Sequence, residues 1–276
     1  MAPREEDRGM ADPRVPHAQL SREAGRFAFG TDAVGYHQAR TGYPPELYDH
    51  VFVDLPDKPD ILEIGAGTGL VTEEFLRRDP RSILIVEPDA ALARFTADRL
   101  ADPRLDFLVA PFPDVQVDGH FDLIACAAAF HWMEPAPALK RVRQLLRPSG
   151  IWAVWWNSYR NAGRGDPLAD AISPLLDGVA LPPSDTIDRH YSLDEEFHRK
   201  LLLDAGFSYV EHHCYRTERE LTTAQVVKLF ASYSYIRALS ADRRERFLGS
   251  LADLVDRQFG GLAPNLILTS MYLARG

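Results

Sequence analysis

The sequence contains little of what marks membrane-spanning, disulfide-framed or nucleic-acid-binding proteins. No apolar run reaches the roughly 18 residues that cross a bilayer. Only two cysteines occur, Cys126 and Cys214, which is too few for a disulfide framework and leads us to expect a reducing, cytoplasmic environment. The formal net charge is -9, and no cluster of lysine and arginine interrupts it. We therefore expect neither a membrane nor a nucleic acid as partner.

The first part of the chain also lacks the pattern of a folded core. Residues 1–29 mix charges of both signs with proline and contain no apolar stretch of the kind found in signal peptides. We predict a disordered leader over 1–29 and one domain over 30–276, a length that can bury a full core.

Short apolar runs alternate with amphipathic segments from Asp60 onwards. The predicted strands are Ile61–Ile64, Ser82–Val86, Leu105–Val109, Phe121–Cys126 and Ile151–Trp156, with helices Leu70–Arg78, Asp89–Leu100 and Pro135–Leu146 between them. Two later strands, Tyr209–Arg216 and Leu266–Ala274, are not joined in this way, because no helix of suitable length follows the second. The pattern predicts an α/β fold with a Rossmann-like, doubly wound, seven-stranded sheet that is mostly parallel with an antiparallel C-terminal strand.

Two insertions interrupt the alternation, at about 158–197 and 221–260. The first is irregular and contains four prolines. The second carries leucine, valine and phenylalanine at three- and four-residue spacing, which is typical of helices. We predict that this helical insertion forms a lid over a binding pocket.

The most informative segment is the turn that holds Gly65, Gly67 and Gly69. Glycines between a strand and a helix let the backbone approach a ligand where a Cβ would clash. Amide groups at the start of the helix favour a polar or anionic ligand group. The spacing is G-x-G-x-G and differs from the G-x-G-x-x-G of dinucleotide binders, so it argues against a pyrophosphate ligand.

Two acidic residues support the same interpretation. Glu63 directly precedes the turn, where a carboxylate repels a pyrophosphate and suits a cationic amino-acid group. Glu87 ends the second strand, a position from which a carboxylate can accept bonds from both hydroxyls of a ribose. A nucleoside with an amino-acid tail satisfies both residues.

With these residues and several further motifs, the chain resembles the class I S-adenosylmethionine-dependent methyltransferases. Within them it is most similar to the small-molecule branch that includes trans-aconitate-type enzymes. The resemblance covers nearly everything after the leader. It rests on the segments 36–44, 62–69, 86–89, 121–124, 130–132 and 145–150.

The resemblance implies S-adenosylmethionine as cofactor and a set of residues that bind it: Tyr36, Arg40, Glu63, Gly65, Ala66, Gly67, Gly69, Glu87, Pro88, Ala110, Phe112 and Ala127. Arg40 would pair with the cofactor carboxylate, which its planar fork suits, although an ordinary surface ion pair is the alternative. The segment Pro111-Phe112 departs from the family pattern of a small residue followed by an acidic one. Stacking and backbone contacts to the adenine are therefore expected there in place of side-chain hydrogen bonds.

His131 is the candidate general base, since it follows the fourth strand and imidazole titrates near neutrality. The alternative is that it only packs and shapes the pocket. The candidate substrate-binding residues are Trp132, Trp156, Asn157, Tyr233 and Arg237, for which core or lid packing is the alternative. We expect no metal site, because the adjacent pair His212-His213 lies on a strand and points to opposite faces.

The sequence therefore predicts methyl transfer from S-adenosylmethionine to a small-molecule acceptor. Two other functions stay open at this point. One is a nicotinamide-dependent oxidoreductase, and the other is a protein that uses S-adenosylmethionine structurally, as a cyclase or binding module. The identity of the acceptor, the atom methylated and the oligomeric state do not follow from the residues.

Overall fold

Seven β-strands form one sheet in the computed structural model, which describes residues 32–112, 114–161, 165–181 and 190–276. The predicted leader over 1–29 lies outside these ranges. The strands are β1 (Asp60–Ile64), β2 (Ser82–Val86), β3 (Leu105–Leu108), β4 (Phe121–Ala127), β5 (Leu146–Ser158), β6 (Tyr209–Thr222) and β7 (Leu262–Arg275). Their order across the sheet is β3–β2–β1–β4–β5–β7–β6.

Helices precede, connect and follow the strands. They are α1 (Ala33–Ala39), α2 (Pro45–Phe52), α3 (Leu70–Leu76), α4 (Ala90–Leu100), α5 (Pro135–Leu145), α6 (Pro167–Ile172), α7 (Glu195–Asp204), α8 (Thr223–Ala231), α9 (Ser234–Arg237) and α10 (Ala241–Phe259). Short 3₁₀ turns lie at Phe130–Trp132, Ser173–Leu176 and Tyr191–Leu193.

The central strands are parallel and covered on both faces, as their continuous apolar runs predict. Helices α2 and α3 pack on one face with Leu47 and Phe75, and helices α5 and α7 pack on the other with Leu139 and Leu202. This arrangement confirms the doubly wound α/β fold.

The C-terminal strand, β7, is antiparallel to its neighbours, as predicted. Strand β7 lies between β5 and β6 and is antiparallel to both. Both β6 and β7 are 14 residues long, so the predicted strand Tyr209–Arg216 is too short. The last six residues of β6, Thr217–Thr222, include three charged side chains and show no apolar alternation, and backbone pairing with β7 holds them extended.

Helices α8 to α10 leave the sheet after Thr222 and return to it at Leu262. Their apolar faces pack against α6 in one cluster, which includes Leu168, Ile172 and Val226. The prediction that the first insertion is irregular misses α6, whose Pro167 stands in the first helical turn, where proline is tolerated. Helix α7, Glu195–Asp204, was not predicted from the sequence either.

Among the described residues, no helix combines the length and apolar character needed to span a bilayer. Cys126 and Cys214 are both free thiols.

Candidate active site

The glycine turn follows β1 at the carboxyl edge of the sheet. Gly65 and Gly67 have φ values of +72° and +58°, which residues with side chains rarely adopt. A Cβ on Gly65 would lie 2.6 Å from the Cβ of Ala129. A Cβ on Gly67 would meet no heavy atom within 4 Å, so the backbone at Gly67 faces open space that a ligand can approach.

Helix α4 fixes this turn through two side chains that the sequence analysis did not identify. The Thr96 hydroxyl donates to the carbonyl of Gly67 at 2.9 Å. The Arg99 guanidinium donates to the carbonyls of Thr68 and Gly69 at 3.2 and 2.9 Å. Gly69 has a packing role here, because a Cβ on it would lie 2.6 Å from Cγ2 of Thr96.

Glu87 connects the end of β2 to the same turn. Its Oε2 accepts a hydrogen bond from the Gly67 N–H at 2.9 Å, and its Oε1 accepts one from the Asp89 N–H at 3.0 Å. The side chain is 4% exposed, and burial raises its pKa to about 7 despite these two bonds. The Gly67 amide is therefore already used within the protein, while each carboxylate oxygen keeps further lone pairs for a ligand.

Glu63 lies 1% exposed at the end of β1, where it accepts a hydrogen bond from Thr72 at 2.7 Å. Burial raises its pKa to about 8, and the nearby Glu87 carboxylate adds to the effect. A cationic ligand group beside Glu63 would stabilise the charged carboxylate.

These residues line a first cavity of about 1090 Å³, part of which is open to solvent. Ten of the predicted cofactor residues lie in its wall: Tyr36, Arg40, Glu63, Gly65, Ala66, Gly67, Glu87, Pro88, Phe112 and Ala127. Ala110 and Gly69 do not. Ala110 lies beyond the end of β3, and Gly69 caps α3 and faces α4.

A second cavity adjoins the first. Five of the six residues predicted to be catalytic or substrate-binding line it: His131, Trp132, Trp156, Asn157 and Tyr233. Arg237 does not, because it forms an ion pair with Asp32 at 3.7 Å and so bridges α9 to α1. The remaining lining residues are Tyr36 and Arg40, which were predicted to bind the cofactor, and six that were not predicted: Ala128, Tyr159, Arg160, His190, Ser234 and Tyr235.

The two cavities share a wall, which consists of Tyr36, Arg40, Ala128, Trp132, Asn157 and Tyr159. Ala128 has a φ of +51°, and a non-glycine residue in this region indicates local backbone strain of the kind that collects at functional sites. The two cavities are therefore adjacent, and these six residues line both of them.

Arg40 stands in that wall, surrounded by tyrosine rings. Its guanidinium carbon lies 4.9 Å from the ring centres of Tyr36 and Tyr233 and 5.8 Å from that of Tyr159. Its Nη2 donates to the carbonyl of Ser232 at 3.4 Å, and its buried Nε has no hydrogen-bond partner. No carboxylate in the described ranges forms an ion pair with it, so the arrangement suits an anionic ligand group.

His131 lies in the 3₁₀ turn after β4. The indole N–H of Trp156 donates to its Nδ1 at 3.2 Å. Because an indole N–H can only donate, Nδ1 is the acceptor, and a neutral ring then carries its proton on Nε2. Nowhere in the described part of the chain do three or more histidine, cysteine or acidic side chains gather as metal ligands would.

Known proteins share this sequence pattern. A family model described as "Methyltransferase domain" matches residues 61–150. An uncharacterized methyltransferase of Schizosaccharomyces pombe is 25% identical over 240 residues, which cover 82% of this chain and 86% of the relative. An uncharacterized methyltransferase of Mycobacterium bovis is 30% identical over 177 residues, which cover 62% of this chain and 71% of the relative.

Solved structures share the fold. A candidate type II methyltransferase of Anaeromyxobacter dehalogenans matches with a TM-score of 0.60 and 21% identity, covering 85% of this chain and 96% of that one. Phosphoethanolamine N-methyltransferase 2 of Haemonchus contortus, in complex with S-adenosyl-L-methionine, matches with a TM-score of 0.55 and 10% identity, covering 89% of this chain and 57% of that one. With the glycine turn, the sheet order and the 30% identical relative together, the chain belongs to the methyltransferase family.

Proposed function

We propose that this methyltransferase transfers the methyl group of S-adenosylmethionine to an anionic small molecule held in the second cavity. The observation that carries the proposal is the shared wall, through which a cavity built around two buried carboxylates adjoins a cavity that contains arginine and histidine. Assignment to the trans-aconitate-type branch belongs to the same proposal and is supported by the motifs at 36–44 and 130–132.

S-adenosylmethionine is the cofactor, and the first cavity fits its parts. Glu87 would accept bonds from the ribose hydroxyls, and Glu63 would lie beside the cationic ammonium group. The unpartnered Nε of Arg40 suits the carboxylate of the amino-acid tail. The open space at Gly67 leaves room for the chain between them. When bound, the cofactor supplies a methyl group on a positively charged sulfur.

The composition of the second cavity supports an anionic acceptor. Among its described lining residues there is no aspartate or glutamate, whereas Arg40 and Arg160 contribute positive charge. Trp132, Trp156 and Tyr235 provide aromatic surface for the body of the molecule. A small aromatic or unsaturated carboxylate matches both properties, because its charge faces the arginines and its body packs on the rings.

The proposal is tested in two steps. Calorimetric titrations with S-adenosylmethionine, S-adenosylhomocysteine and NAD should show micromolar binding of the first two and none of NAD. The protein is then incubated with tritium-labelled S-adenosylmethionine and matched panels of carboxylates, phenols and amines. Label transfer confined to the carboxylates is the expected result, and transfer to amines alone would overturn the proposed acceptor class.

A further inference from the structure

We propose that His131 and His190 act on the acceptor as fixed N–H donors, that Trp156 is the residue that sets His131 in this state, and that methyl transfer proceeds without a general base. The inference rests on the proposed function, because it assigns roles to residues that line the second cavity. It differs from the sequence-based expectation, in which His131 removes a proton.

The first part of the argument is the hydrogen bond between Trp156 and His131. The indole N–H donates to Nδ1 at 3.2 Å, and both residues lie in the wall of the second cavity. A neutral imidazole has one donor and one acceptor nitrogen, so occupation of Nδ1 as acceptor leaves Nε2–H as the donor. A general base acting through Nε2 would need an unprotonated Nε2, with the proton on Nδ1.

The second part is that His190 shows the same arrangement with a different donor. The backbone N–H of Ser192 donates to Nδ1 of His190 at 3.2 Å, and the Ser192 hydroxyl lies 2.7 Å from the same nitrogen. A backbone amide, like an indole N–H, cannot accept. In both imidazoles of the cavity, Nδ1 therefore accepts from a group that can only donate, and at His190 the Ser192 hydroxyl, which can donate or accept, lies closer to the same nitrogen.

The core around Trp156 holds this geometry in place. Trp156 is buried and packs against the rings of Phe130, Tyr191 and His198 at centroid distances of 6.5, 5.2 and 5.3 Å. Its indole therefore has little freedom to rotate away from His131. Phe130 precedes His131 in the same 3₁₀ turn, so packing and hydrogen bonding position the imidazole together.

Two fixed donors suit an acceptor whose oxygen is already ionised. The bond that forms joins this oxygen to the methyl carbon, and the bond that breaks joins that carbon to sulfur. The electron pair of the broken bond stays on sulfur, which becomes neutral, and the negative charge of the oxygen is lost. No proton is released, so the reaction needs no base.

The tautomers can be measured directly by long-range proton–nitrogen NMR correlation. The protein is labelled with ¹⁵N-histidine and observed at pH 7.5 with S-adenosylhomocysteine. The signals of His131 and His190 are assigned by their loss in His131→Gln and His190→Gln. We expect the Nε2–H pattern for both rings. An Nδ1–H or imidazolium pattern at His131 would overturn the inference.

A matched pair of tryptophan variants tests the positioning role. Trp156→Phe removes the indole N–H and should convert His131 to a mixture of tautomers. Trp152→Phe is the control. Trp152 lies on the same strand and packs against the same Phe130 ring, but its indole nitrogen has no hydrogen-bond partner. This variant should leave the His131 spectrum unchanged. Equal spectra in the two variants would contradict the role of Trp156.

Kinetics separate a donor from a base. Label transfer to trans-cinnamate, an aromatic carboxylate, is measured from pH 6 to 9. Glutamine can donate from its amide at about the position of Nε2, so His131→Gln should keep the rate within roughly tenfold and preserve the pH profile. Loss of a base would instead cost on the order of 10² to 10⁴-fold and remove a limb of the profile. If S-adenosylmethionine binds but the tautomer is Nδ1–H, this inference fails while the proposed cofactor use stands.

Discussion

The backbone N–H of Gly67 donates to the carboxylate of Glu87 at 2.9 Å, so the turn after β1 is tied to the end of β2. The same carboxylate lines the first cavity. One side chain therefore supports the shape of the turn and also lines the cavity. A change at Glu87 should alter both stability and cofactor affinity.

Glu87→Ala should weaken S-adenosylhomocysteine binding by about 2 kcal/mol, the order of a lost charged hydrogen-bond pair. The melting temperature should also fall, because the Gly67 and Asp89 amides lose their acceptor. Calorimetric titration and thermal denaturation measure the two effects. Glu74→Ala, which removes a carboxylate of α3 that pairs with surface arginines, is the control and should change neither by much. An unchanged dissociation constant in Glu87→Ala would remove this residue from the ribose site.

Gly67→Ala should reduce S-adenosylhomocysteine affinity at least about tenfold, or roughly 1.4 kcal/mol. The added methyl meets no protein atom and enters the space left for the ligand. Gly260→Ala is a close control, because Gly260 also has a positive φ, +62°, and open surroundings, but lies at the end of α10. Both variants should lose similar stability from backbone strain. If both bind alike, Gly67 does not contact the ligand.

Glu63→Gln should stabilise the ligand-free protein at alkaline pH and have little effect in acid. The folded-state pKa of Glu63, about 8, lies above the ordinary value of 4.5 because the side chain is buried, so the folded protein holds this proton more tightly than the unfolded chain. The protonated Glu63 carboxyl group contributes its full stability below about pH 4.5, and this contribution is lost as the pH rises towards 8. Glutamine keeps the acceptor for Thr72 and carries no charge. The gain at pH 8 should be on the order of 4 kcal/mol, because the two pKa values differ by about 3.5 and each pKa unit corresponds to roughly 1.4 kcal/mol.

Thermal or urea denaturation of Glu63→Gln and of the unchanged protein at pH 5 and pH 8 provides this comparison. Glu46→Gln, at an exposed position of α2, serves as the surface control. A stability difference that is the same at both pH values would show that Glu63 is not held protonated by burial.

Arg40→Met should weaken binding of S-adenosylhomocysteine but spare methylthioadenosine, which lacks the amino-acid tail. Methionine can fill the space among the three tyrosines without a charge. We expect a loss of at least about tenfold for the first ligand only, since a charged hydrogen bond contributes about 1.5 kcal/mol or more. Arg237→Met is the control, because the ion pair of Arg237 with Asp32 links α9 to the start of α1. Equal losses for both ligands would place Arg40 away from the cofactor carboxylate.

Strands were well predicted where the sequence signal is local. The apolar run Ser82–Val86 coincides with β2, and Glu87 follows it as expected. Thr96 and Arg99 were missed because they reach the glycine turn across the packing of α4, which no local motif marks. The end of β6, Thr217–Thr222, was missed for a similar reason, since pairing with β7 and not its own residue pattern holds it extended.

The second cavity was predicted only in part because distant segments form it. Trp156 at the end of β5 and Tyr233 before α9 line the same cavity only once helices α8 to α10 have packed. His190 lies in a stretch that offers neither apolar period nor motif, and its place in the cavity follows from tertiary packing. The positions of Arg160 and Tyr235 have the same origin.

Thr222 and Leu262 pair directly across β6 and β7, so the segment between them begins and ends at neighbouring points. Paired residues of this kind lie about 5 Å apart, a gap that a two-residue hairpin turn can close. Helices α8 to α10 can therefore be replaced as one continuous segment while the glycine turn and the carboxylates of Glu63 and Glu87 stay in place. Enzymes that differ in acceptor can arise in this way by replacement of one continuous segment of the gene.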